Sequence, residues 1–318
     1  MRSAPGLLLS RQEVRMAIDT RLTVTVSAPK EQNLSKSQRA FLSALANHLQ
    51  RNDMRILRDS AASNDAEAEW ARVRRCHGVI VLAFSQWNAQ RLHRQKDKNV
   101  VMPTEFSHIT AAMAVAAKRP LLVLREKELA ERGALRGGYL PHVVKLPRQL
   151  GPEWLESRDF TSEFSKWTRE MESFRHVFLG YSSQAAEVAE RIRKFLINTL
   201  KLRIFDWKPD SSPGDAIWEW IERAERLTDC GIFLFMADDK LTAGKTVELA
   251  PRDNVIYEAG YFAGAKGRKN SLIILEEGAR IPTDLGGILY LSLRSREDIS
   301  PITTRMRKYL EQVFNDES

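Results

Sequence analysis

The feature that most constrains the fold of this chain is one order of apolar runs and helical stretches, written twice. From Leu22 the run LTVTV reads as a buried strand, about Ser35 to Arg51 as a helix, and MRIL (Met54–Leu57) as a short strand. Ala66–Arg75 reads as a second helix leading into the strand VIVLAF. After a polar segment come the helix Thr104–Lys118 and the strand Leu121–Leu124. The order recurs from VFLGY (Val177–Tyr181). It runs through the amphipathic EVAERIRKFLINTL, with Val188, Ile192, Phe195 and Leu196 on one face, to LRIF (Leu202–Phe205). A Pro/Ser/Gly loop, a helix containing AIWEWIERAERL, the strand GIFLFM, a loop, the helix NVIYEAGYFAGAKG and the strand LIIL complete it. Alternation of this kind requires a parallel sheet flanked by helices, so two such units in tandem are expected.

The correspondence extends to Cys76 and Cys230, each just ahead of its strand, and to Glu105 and Glu258 near the starts of matching helices. Between the units, Gly151–Arg175 is rich in Trp, Phe and charge. Trp154, Phe160, Phe164 and Trp167 predict a helical connector packed on both units rather than a flexible linker. The predicted domains are residues 1–150, the connector 151–175, and 176–318.

With 318 residues, 43% of them apolar, the chain can bury two cores. A formal charge of +8 suits an anionic partner, but the basic residues alternate with acids as on a solvated surface. Two cysteines exclude a disulfide framework and a multi-cysteine metal site, and suit a reducing compartment. Leu7–Leu9 is followed at once by charge, too short a run for a signal segment, and no stretch approaches the ~20 apolar residues of a membrane helix. A cytoplasmic protein without membrane contact is expected.

Parallel α/β sheets bind ligands beyond the carboxyl ends of their strands. In the second unit those positions hold Gly180, Tyr181, Ser182 and Ser183, then Asp206 and Trp207, then Ala237–Asp239. Gly180 admits close backbone approach, Ser182 and Ser183 can cap a helix or present N–H groups to phosphate, and Tyr181 or Trp207 can stack on a base. The sharpest signal is the run Pro251–Gly264. Asp253 or Asn254 is a natural N-cap there, and Val255, Ile256, Ala259, Phe262 and Ala263 form an apolar stripe. Glu258 sits inside that stripe, costly to bury unless it is paired, with Arg252 or Arg268, or working.

The run RDNVIYEAGYFAGAKGRKNSLIILEEGARIPTDLGGILYLSL, together with HVFLGYSS, resembles the TIR-like nucleotide-binding family of bacterial antiphage effectors, including those fused to STING domains. The resemblance spans about 176–293 and implies an α/β fold of two flavodoxin-like or TIR-like parallel-sheet domains. It implies cleavage of the N-glycosidic bond of NAD, a substrate rather than a cofactor, with Glu258 as the catalytic carboxylate and no metal. It makes Tyr181, Ser182, Ser183, Asp206, Trp207, Arg252 and Asn254 candidate substrate contacts, and the loop Lys208–Asp215 a governor of assembly. A homo-oligomer or filament through the TIR domains is implied. Two other readings stay open: a non-catalytic nucleotide-binding or assembly module, and a cyclase or transferase making a signalling nucleotide from NAD.

The first unit departs from the pattern. Glu105 is followed by Phe-Ser-His-Ile-Thr-Ala-Ala, which loosely resembles nucleoside deoxyribosyltransferase-like or TIR-like sensor domains. Glu105 and His108 share a helix face and can form an acid/base pair or a structural hydrogen bond. A regulatory domain that receives a small-molecule or protein activator is the expectation.

Overall fold

The computed structural model describes residues 17–57, 65–89, 100–136, 140, 142–206, 217–243, 246–285 and 287–315. Trp207 and the loop Lys208–Asp215 lie outside them.

Each half of the chain builds one five-stranded parallel sheet. In the first, β1 (Leu22–Ser27), β2 (Met54–Ile56), β3 (Gly78–Ala83), β6 (Leu121–Glu126) and β7 (His142–Leu146) take the order β2-β1-β3-β6-β7. In the second, β8 (Arg175–Gly180), β9 (Ile204–Asp206), β10 (Thr228–Phe235), β13 (Ser271–Glu276) and β14 (Leu289–Leu293) repeat it as β9-β8-β10-β13-β14. The central strands are buried along almost their whole length, as continuous apolar runs covered by helices on both faces must be. The two-sheet α/β architecture expected from the repeated order is therefore present.

The helices fall where the periodicity places them. In the first half α1 (Lys36–Arg51) and α2 (Ala66–Arg75) precede α3 (Glu105–Ala116) and α4 (Arg158–Met171). In the second, α5 (Ala186–Lys194), α6 (Ile217–Arg226), α7 (Asp253–Lys266) and α8 (Ser300–Asn315) follow. Ser35 opens α1 with a reciprocal capping box to Gln38, which satisfies two N–H groups a helix start otherwise leaves unbonded.

Two departures from the sequence reading repeat in both halves. Each sheet has a fifth strand, and each unit carries an antiparallel pair in the segment after its third strand. These pairs are β4 (Trp87–Ala89) with β5 (Val100–Met102), and β11 (Asp239–Ala243) with β12 (Thr246–Ala250). The second strand of each pair also bridges to the turn after the fourth sheet strand, Val101 to Leu129 and Leu249 to Ala279.

The connector differs from expectation. Phe160, Phe164, Trp167 and Met171 of α4, with Trp154 ahead of it, all join the core of the first sheet. At Gly78 a Cβ would meet Met171 Sδ at 2.5 Å and the Trp167 ring at 2.6 Å, so only glycine lets the helix lie this close to β3. The aromatic face is thus consumed by one unit, while α8 covers the same face of the second with Ile302, Met306, Leu310 and Phe314.

The halves meet at the amino-terminal ends of their strands. His77, just before β3, holds Asp229 of β10 at 3.1 Å, Arg119 donates to the Arg226 carbonyl at 2.8 Å, and Arg74 pairs with Glu225 at 3.3 Å. The two carboxyl-terminal edges, where ligands bind in such sheets, therefore face away from each other.

Candidate active site

Helix α7 is built as its stripe requires. Val255, Ala259 and Phe262 are buried; Ile256 and Ala263 pack beside them against the sheet. The helix begins one residue earlier than expected. Arg252 is its N-cap and makes no side-chain cap bond, so Asp253 and Asn254 lie in the first turn instead. Asp253 there complements the positive end of the helix.

Glu258 lies at the edge of the stripe, above the last residue of β8. A Cβ on residue 180 would sit 2.7 Å from Glu258 Oε2 and 2.7 Å from the Phe233 ring, so Gly180 is what makes room for the carboxylate. Among the described residues no hydrogen bond or ion pair engages Glu258. Its expected partners are directed elsewhere: Arg252 pairs with Asp239 at 3.2 Å, and Arg268 lies against Gly287. Its surroundings include Phe178, Trp220 and Val255, and burial alone pushes its pKa up to about 8.

The cleft in front of Glu258 has a volume of about 470 Å³ and opens at the carboxyl ends of the strands. Gly180, Tyr181, Ser182, Ser183, Arg252 and Asn254 line it as the sequence suggested, as does Asp239 from the positions after the third strand; Trp220 lines it unforeseen. Ser183, Arg252 and Asn254 are exposed there.

Three of the sequence-derived contacts are engaged otherwise. Alternation along β8 puts Gly180 on the Glu258 face and turns the Tyr181 side chain to the other, where it packs on the opposite core and donates to Asp206 Oδ1 at 3.0 Å. Asp206 is buried, is paired also with Arg193, and does not line the cleft. The Ser182 hydroxyl accepts from Ala185 N–H at 3.2 Å and donates to Asp238, so it acts as a cap and a tie.

That tie belongs to a network the sequence reading missed. Arg296 donates to Glu276 at 2.6 and 2.8 Å and to Asp238 at 3.1 Å, and Glu276 accepts Ala237 N–H at 2.7 Å. Arg296 holds the Glu276 carboxyl below the usual carboxylate range, and the pair raises the guanidinium in turn. The ends of three strands are thereby bound together beside the cleft. No local pattern flags Arg296, which acts only through the fold. Both cysteines are free and buried, and no cluster of three or more metal-ligating side chains occurs among the described residues. No described helix is long and apolar enough to cross a membrane.

Residues 176–295 match the family described as CAP12/Pycsar effector protein, TIR domain. The chain is 32% identical over 141 residues to CD-NTase-associated protein 12 of Lachnospiraceae bacterium (strain RUG226), covering 43% of this chain and 44% of the relative. It is 25% identical over 210 residues to the Pycsar effector protein BcPycTIR of Burkholderia cepacia, covering 63% of this chain and 66% of that one. The chain thus spans less than half the length of the first relative and just under two thirds of the second. Among solved structures, the TIR domain of a Toll-related receptor from Hydra magnipapillata aligns at 18% identity and a TM-score of 0.32, over 42% of this chain and 96% of that one, too low a score to bear weight.

Proposed function

We propose, on the premise that residues 176–295 are a TIR domain of the CAP12/Pycsar family, that this half hydrolyses the nicotinamide–ribose bond of NAD. The chain would thereby serve as a gated cytoplasmic effector of bacterial antiphage immunity. The observation that carries the reading is the desolvated, unpartnered carboxylate of Glu258 over Gly180, inside a cleft at the ligand-binding edge of the sheet.

In the proposed reaction the C1′–N bond breaks and its electron pair leaves with nicotinamide. Positive charge then develops on the ribose C1′ and ring oxygen, where an adjacent carboxylate stabilises it. Water adds at C1′ and gives up a proton, leaving ADP-ribose. The cationic nicotinamide ring of the bound substrate favours the ionised form of Glu258, opposing the desolvation that keeps it protonated in the empty cleft. Ser183, Arg252 and Asn254 are the exposed polar groups placed to contact the rest of the substrate. Self-association belongs to the same reading, and the exposed Trp218 and Tyr257, with ring centroids 5.6 Å apart on α6 and α7, offer a surface for it.

The test is NAD consumption followed by chromatography. Glu258→Ala should lower the rate by about 10³-fold or more, with nicotinamide and ADP-ribose formed in equal amounts by the wild type. A variant as fast as wild type overturns the assignment of Glu258. A product in which another nucleophile has captured the ribose replaces hydrolysis with a cyclase or transferase.

A further inference from the structure

The polar walls of the Glu258 cleft are held from behind by one side chain that does not itself reach it. Arg296, in the turn between β14 and α8, lies outside the cleft lining, as do its partners Asp238 and Glu276. Its guanidinium engages through every nitrogen. Nε donates to Glu276 Oε1 at 2.8 Å, one terminal nitrogen donates to Glu276 Oε2 at 2.6 Å and to Asp238 Oδ1 at 3.1 Å, and the other reaches the Gln184 carbonyl at 3.5 Å. Asp238, whose side chain is 1% exposed, takes the Ser182 hydroxyl on its other oxygen. Its chain neighbour Asp239 lines the cleft and pairs with Arg252 at 3.2 Å. One cation therefore fixes the turn Ser182–Gln184 on one wall and, through Asp238, the start of β11 on the other.

Glu258 is held independently of this network. Its place is set by α7 and by the space over Gly180, and among the described residues Arg296 makes no hydrogen bond or ion pair to α7. The first half shows that the scaffold alone does not require a guanidinium here. There the corresponding carboxylate, Glu126, accepts the neutral Gln38 amide at 2.7 Å and Ser85 N–H at 2.8 Å, and no ion pair is formed to it among the described residues.

We propose that Arg296 is a positioning residue for substrate binding, fixing both polar walls of the cleft before the substrate arrives and so setting its affinity, while the bond-breaking step stays with Glu258. Walls already ordered in the free protein lose less conformational freedom on binding, and that difference appears as affinity. A lysine keeps the charge but is a point donor, unable to hold a carboxylate, a second carboxylate and a carbonyl in fixed planar geometry. The identity of the substrate rests on the glycohydrolase reading; the ordering of the walls does not.

Steady-state kinetics and calorimetry on Arg296→Lys, at a temperature where the variant is folded, separate this role from a merely structural one. KM for NAD should rise about tenfold with kcat within about twofold of wild type. Asp238→Asn should show the same split, and the double variant should be about as impaired as the poorer single one, because both act through one tie. Gln38→Leu, which removes the corresponding tie in the first half, should leave KM unchanged. In the substrate-free protein, hydrogen exchange of the Ala185 N–H, bonded to the Ser182 carbonyl and hydroxyl at 3.0 and 3.2 Å, should quicken about tenfold in Arg296→Lys while α7 is unaffected. A fall in kcat with KM unchanged, an equal rise in KM in Gln38→Leu, or unaltered exchange at Ala185 would each overturn the proposal. A wild type that binds NAD without cleaving it would defeat the glycohydrolase reading alone, and Arg296→Lys should then still weaken that binding about tenfold.

Discussion

The two halves share a strand order, an inserted hairpin and even a structural carboxylate, yet differ at the one position where chemistry is proposed. At the end of the fourth strand, Glu126 accepts Ser85 N–H at 2.8 Å and Glu276 accepts Ala237 N–H at 2.7 Å, the same tie in both sheets. On the covering helix the buried positions Ser107, Ala111 and Ala114 repeat the spacing of Val255, Ala259 and Phe262. That alignment puts Thr110, not Glu105, in the place of Glu258. Thr110 donates to Glu69 at 2.8 Å, a satisfied bond, whereas Glu105 is exposed at the first residue of its helix and makes no ion pair with His108 among the described residues. Under the helix the first strand ends in Ser27 in one half and Gly180 in the other. Duplicating the scaffold carried its ties across; an unpartnered carboxylate needs both the glutamate and the empty space below it.

Substitutions at these positions sharpen or break that comparison. Gly180→Val should have the largest effect, since its side chain enters the volume of Glu258 Oε2 and Phe233. We expect loss of NAD consumption and about 1–3 kcal/mol of stability from overpacking, against little change for Ser27→Val; equal effects in the two halves would break the contrast. Arg296→Met leaves Asp238, 1% exposed, without its cation. Chemical denaturation should show a loss of about 2–4 kcal/mol, with Arg296→Lys intermediate.

A third prediction concerns pH. The pKa of Glu258, raised to about 8, means the folded state holds a proton that the unfolded chain releases near its ordinary value. Its contribution to stability is therefore present at low pH and lost as pH rises through about 8. Glu258→Gln should consequently melt higher than wild type at pH 9 by several degrees, at about 2–4 °C per kcal/mol, and by much less at pH 5. A constant difference across that range would show that Glu258 is not desolvated. The smallest effect is expected at Thr110→Val, about 1 kcal/mol for one lost hydrogen bond, with NAD turnover unchanged.

Much of the architecture was legible locally. The runs at Val79–Phe84 and Gly231–Met236 are apolar on both faces and can only be central strands of a covered sheet. The edge strands His142–Leu146 and Leu289–Leu293 are partly exposed and were not separable from loop, and the hairpins carry no turn signature strong enough to betray them. The aromatic residues of α4 announced burial without saying against which sheet, because a stripe specifies a face and not its partner.

The same limit governs the site. By itself the sequence determined that a helix with one apolar stripe follows Pro251 and that Glu258 belongs to that stretch, since the 3.6-residue period settles which side chains turn inward. Only the tertiary structure decided that this carboxylate stays alone. Asp239 of the hairpin takes Arg252, strand alternation turns Tyr181 away, and Gly180 supplies the space below. Those residues are remote from Glu258 in sequence, and whether a buried charge finds a partner depends on which of them the packed sheet brings within a few ångströms.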